Sequence, residues 1–181
     1  MPLEQKRMMR RVIQGTAAIG VLCALAGCAQ SRYEPIVYTD SASAERWAFT
    51  PIEVKYKDAQ SPAWNFEMVL QTRAWECSQQ ADMGYILYKQ LREYGSNKRP
   101  DENAQALADC QRYAYQQGDE AIGRLKQAKV SAKTLDLSKD LYAKWSAFLA
   151  GMSISAPKDH IAAGQYDASR RALMAEERFA Q

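Results

Sequence analysis

The chain has 181 residues, with 24 Lys and Arg against 21 Asp and Glu, 47% apolar residues, four Cys and one His. That length can bury a core as one domain, and so balanced a charge at negative mean hydropathy excludes a solvated disordered tail and predicts solubility over most of the chain. Residues 1–27 hold the basic side chains Lys6, Arg7, Arg10 and Arg11 and one acid, Glu4, so the formal +3 resides there and the remainder carries 20 basic and 20 acidic residues. A surface that follows a phosphate backbone needs clustered Lys and Arg without equal acids among them. No such cluster follows Arg11, and nucleic acid is not an expected partner.

The basic start is followed by residues 12–27, sixteen mostly small or apolar residues ending in Leu25-Ala26-Gly27 before Cys28. At ~1.5 Å per residue a helix of that length covers about 24 Å, short of the ~30 Å hydrocarbon core, so the pattern predicts a removable export signal rather than a permanent span. Leu25-Ala26-Gly27-Cys28 resembles the lipobox of bacterial lipoproteins. The resemblance covers about the first thirty residues and carries no information on the fold behind them. It implies cleavage before Cys28, diacylation of the Cys28 sulfur, acylation of the new amine and loss of Cys23 with the signal. Two or more acyl chains, at about 0.8 kcal/mol per buried CH₂, hold a protein stably on a bilayer. The expected product is therefore anchored and does not cross the membrane. In the resembled family an Asp after the cysteine often retains the protein on the inner membrane. Ala29 stands there, which implies the periplasmic face of the outer membrane where two membranes exist, and the cell membrane otherwise.

Residues 28–61 read as a lipidated tether rich in turn formers. Yet Tyr33, Ile36, Val37, Tyr38, Trp47, Phe49 and Ile52 are more apolar groups than a solvated linker carries, so part of it is expected to pack. Ile52, Val54 and Tyr56 alternate with Glu53, Lys55 and Lys57, which predicts a short edge strand or an extended strip lying across a core. Residues 29–60 reach on the order of 100 Å when extended and about 30 Å as a flexible coil.

From Pro62 the period changes to three and four, and residues 62–181 read as a mainly α domain, a bundle of about four helices. Phe66, Leu70, Ala74, Cys77, Ala81, Gly84, Tyr88 and Leu91 form one stripe that Gly95 stops. After residues 95–100, Asp101 is the expected cap of a second helix with Leu107, Cys110, Ala114, Ala121, Leu125 and Ala128 inward. Gly118 weakens that helix or permits a close crossing. Leu137, Leu141, Trp145, Phe148, Leu149 and Met152 mark a central third helix capped by Thr134 or Asp136. Pro157 suits the first turn of a fourth, with Ile161, Ala168, Ala172, Ala175 and Phe179 inward and Arg170 and Arg171 elsewhere. No repeat of fixed period is present, which disfavours a solenoid.

Cys77 and Cys110 are an even pair in an exported chain, and closing their loop is worth roughly 4 kcal/mol. Their helical registers differ by about 13 Å, so a bridge requires an offset loop or an earlier helix end, and two buried free thiols are the alternative. One histidine, His160, permits no His-rich metal site, and Cys77 with Cys110 fits no zinc spacing, so no metal or other cofactor is assigned. His160 with Asp159 and a distant Ser makes no triad, because helix neighbours do not face each other. Acids such as Glu67 and Glu76 could be cast as a hydrolase pair, but their spacing does not distinguish them from other acids on solvated helix faces. Tyr85, Tyr88, Tyr94, Tyr113 and Tyr115 gather around the first hairpin as a candidate surface for a protein or a saccharide, or else cap the core with their hydroxyls in water. No catalytic residue is assigned. The expectation is a non-catalytic interaction or scaffold component of a cell-envelope assembly, attached to the membrane through its lipid and to an envelope protein. The alternative is a ligand-binding or inhibitory lipoprotein that recognises a cell-wall fragment such as peptidoglycan, or an envelope enzyme.

Overall fold

The computed structural model describes residues 48–96 and 100–179. The export signal, Cys28 and the tether up to Trp47 lie outside the described residues. Four α-helices follow: α1 (Pro62–Glu93), α2 (Asp101–Gln127), α3 (Ala132–Ala150) and α4 (His160–Phe179). Local chemistry sets their ends. Ser61 caps α1, its Oγ accepting from Trp64 N at 3.1 Å, and Pro62 occupies the first position, where an N–H would have no helical acceptor. At the other end Ser96 N donates to Leu91 O and Gly95 N to Arg92 O, the pairing of a Schellman turn, with Gly95 at φ +73°. Glycine carries that left-handed conformation without the clash a Cβ brings.

Three expected helix starts move. Asp101 is the first residue of α2 rather than its cap; Pro100 precedes it with no side-chain bond, and Asp101 and Glu102 support the helix start through their charge. Ser131, not Thr134 or Asp136, caps α3, accepting from Thr134 N at 3.0 Å. Pro157 lies ahead of α4, whose first turn is held by Asp159 Oδ1 accepting from Ile161 N and Ala162 N at 2.8 and 3.1 Å.

α1 packs chiefly on α2 and α3 on α4, and α3 bridges the two hairpins by also touching α1 and α2. Trp145 is the hinge of that junction. It is fully buried, and its Nε1 donates to Leu70 O of α1 at 2.9 Å, so the one polar atom of the indole is satisfied inside the core. Its six-membered ring meets α2 at Gly118, where a Cβ would come within 2.7 Å of Cη2. The glycine therefore serves a close crossing. Phe66, Leu70, Leu125, Leu141, Leu149 and Leu173 complete the centre.

The inward face of α4 differs from the expected one. Tyr166, Ser169 and Leu173 are buried, whereas Ile161, Ala168, Ala172, Ala175 and Phe179 are exposed. Three alanines offer little area to bury, while Tyr166 stacks on Phe148 at 5.6 Å and Arg170 reaches Glu67 of α1.

Residues 48–57 form no strand. They lie as an extended strap along α1 and α2, held by side chains in the role of a neighbouring strand. Asn65 Oδ1 accepts from Lys57 N at 2.9 Å and its Nδ2 donates to Lys57 O at 3.0 Å. Five residues earlier, Ile52 N donates to Glu76 Oε1 and Arg73 Nη2 donates to Ile52 O at 2.8 Å. Arg73 and Glu76 are themselves paired and buried. Phe49 against Tyr113, and Tyr56 under the Arg124 guanidinium, fix the strap to α2.

Candidate functional site

A disulfide joins Cys77 of α1 to Cys110 of α2, with Cα atoms 5.5 Å apart and both residues fully buried. The register conflict is solved by an offset loop and not by an early helix end. Glu93 lies sixteen residues beyond Cys77 and Asp101 nine before Cys110, so α1 outruns α2 by about 10 Å at the standard rise. Tyr94 and Pro100 bound the connection between the two unequal ends. The α1–α2 hairpin is thus a stapled unit with a projecting end.

The five tyrosines do not form one surface. Tyr113 and Tyr115 are two residues apart on a helix and face opposite ways: Tyr113 meets Phe49 and the Arg73 guanidinium under the strap, whereas Tyr115 donates to Ser146 O at 3.0 Å and meets Trp145 edge-on at 5.7 Å. Burial raises the Tyr115 hydroxyl above its ordinary pKa. Tyr85, Tyr88 and Tyr94 occupy the far part of α1, where Tyr85 and Tyr88 are half-buried and Tyr94 is 88% exposed.

Sequence periodicity did not single out the outward side of α1. Trp75, Met83 and Ile86 are 55%, 49% and 57% exposed and lie within about 80° of one another at 100° per residue. Each is a large apolar side chain outside the buried stripe, and a search for apolar residues off the 3–4 spacing would have found them.

Glu67 and Glu76 are buried on opposite sides of α1, nine residues and so about 13 Å apart along the axis. Two carboxylates that share a scissile bond stand about 5–9.5 Å apart, so these two do not form a hydrolase pair. Glu76 is committed to Arg73 and the strap. Burial pushes the Glu67 carboxyl above the ordinary carboxylate range, only partly opposed by the Arg170 guanidinium at 3.1 Å. Beside them the buried Tyr166 hydroxyl has no hydrogen-bond partner and is pushed up by burial and by Glu67. His160 is exposed at the first position of α4. Near it a shallow cleft between α1 and the α3–α4 loop encloses about 10 Å³, room for about one water. There Lys158 Nζ donates to Ser78 Oγ at 2.9 Å. Among the described residues no three His, Cys, Asp or Glu side chains gather as a metal-holding group, and no helix is long and apolar enough to cross a membrane.

Comparison with protein families, with characterised proteins and with solved structures finds no match to this chain.

Proposed function

We propose that the chain is a lipid-anchored envelope protein, held through Cys28 on the periplasmic face of the outer membrane. Its four-helix domain serves as a non-catalytic interaction part of an envelope assembly. The observation that carries the proposal is the row Trp75, Met83 and Ile86, apolar and exposed on the outer side of a helix that the Cys77–Cys110 bond and the strap hold rigid. Large apolar and aromatic side chains fixed on a preorganised element are what a protein partner buries as anchors, because little conformational freedom is lost on binding. The disulfide supports export as well, since such bonds persist in oxidising compartments.

The test is photocrosslinking in cells from a benzophenone side chain placed at Trp75 or at Ile86, with Gln116 on the exposed side of α2 as control. One discrete protein adduct from both α1 positions, absent at Gln116 and lost with Cys28→Ser, is expected. Equal labelling at all three positions would defeat the proposal, and adducts to cell-wall fragments instead of protein would favour the ligand-binding alternative.

A further inference from the structure

Two directions in the molecule converge on one end of the domain. Followed from Lys57 back to Phe49, the strap passes from Asn65 to Arg73 and Glu76 on α1, and from Arg124 to Tyr113 on α2. Both tracks rise toward the turn that joins α1 to α2. The strap therefore runs toward that end as it approaches its first described residues. That end is where α1 outruns α2 by about 10 Å, presenting half-buried Leu87, Tyr88 and Leu91, and nearly bare Tyr94.

We propose that this projecting end, residues 87–94, docks in the headgroup layer of the bilayer that holds the acyl chains of Cys28. The docking rests on the anchor proposed above. An overhang of about 10 Å matches the ~5–10 Å depth to which interfacial helices bury their apolar side, and tyrosines place an apolar ring and a polar tip at that boundary. Lys89 is joined to Glu93 only by a loose surface pair at 3.8 Å, so a lipid phosphate can take its ammonium instead. The tether is long enough. Twenty residues, 28–47, can span at most about 65 Å. Tyr113, beside which the strap begins, stands about 30 Å below Tyr94 when levels are counted from the Cys77–Cys110 bond. An end confined so near the surface meets lipid at an effective concentration on the order of millimolar, so weak contacts suffice. Docked in this way, α1 holds Trp75 about 28 Å from Tyr94, turned toward a partner in the periplasm and away from lipid.

The acylated mature protein, reconstituted in vesicles of phosphatidylethanolamine and phosphatidylglycerol, tests this. A benzophenone side chain replaces Tyr94 in one preparation and Lys126, at the opposite end of α2, in another; intact mass first establishes the acyl chains. Lipid adducts at least about fivefold more abundant from position 94 than from position 126 are expected for a headgroup-depth contact. In acylated protein, equal adduct yields overturn the docking and leave the anchor standing. A crosslink from position 94 to residues 29–47 of the same chain also overturns it, since the tether would then cover this end. A bare thiol at Cys28 overturns both.

Discussion

Removing the disulfide is the most informative perturbation of stability, because its expected size follows from one separation in the chain. Cys77 and Cys110 are 33 residues apart, and the chain-entropy relation gives about 3.7 kcal/mol at 25 °C for closing such a loop in the unfolded ensemble. Cys77→Ala with Cys110→Ala also removes two fully buried sulfur atoms, for about 1 kcal/mol more in lost packing. The double variant is therefore expected to lose about 4–5 kcal/mol and its thermal midpoint to fall by more than about 10 °C. Urea titration followed by helical circular dichroism measures this, and the wild type under reducing conditions isolates the loop-closure part. If the crosslink acts on the unfolded chain, the urea m-value rises when it is removed, since the freed chain exposes more surface. A loss below about 1 kcal/mol in both samples, with an unchanged m-value, would falsify the reasoning.

Three further outcomes are specific. Gly118→Ala drives a methyl to 2.7 Å from the Trp145 ring; the overpacking cost of about 1–3 kcal/mol exceeds the helix-propensity gain, so chemical denaturation should show a net loss of about 1–2 kcal/mol. Glu76→Ala leaves Arg73 charged and buried and frees Ile52 N. It should cost about 3 kcal/mol or more and open the strap to trypsin at Lys55 and Lys57, whereas unchanged proteolysis would show that Phe49 and Tyr56 hold the strap alone. Glu67 binds its proton more tightly in the folded state than the ordinary value of 4.5. The stability it contributes is therefore full below pH 4.5 and lost as the pH rises through the higher folded value. Wild type should lose stability relative to Glu67→Gln between pH 4.5 and neutrality in paired urea titrations, and the opposite slope would mean that Arg170 outweighs burial.

Periodicity reveals most of this fold and little of what fastens it. The stripe from Phe66 to Gly84 is buried as spaced, and Gly95 ends α1 through the left-handed turn its position suggests. α4 misleads because Ala168, Ala172 and Ala175 repeat at helical steps yet have little area to bury. Its true inner face holds two large apolar groups, Tyr166 and Leu173, with Ser169 between them and Arg170 alongside. The opposed directions of Tyr113 and Tyr115 follow from their spacing of two alone. The strap clamp has no such signature, since Asn65, Arg73 and Glu76 bind backbone atoms of a segment far along the chain and obey no period. Trp75, Met83 and Ile86 go unnoticed for a related reason, because a search for the buried stripe passes over large apolar residues outside it.

Everything proposed about place and partner depends on the chain being held at Cys28. Intact mass of the amino-terminal peptide from the protein in its native membrane tests that most directly. A peptide beginning at Cys28 and carrying two or three acyl chains is predicted; an unmodified thiol, or a chain that still includes residues 1–27, would contradict it.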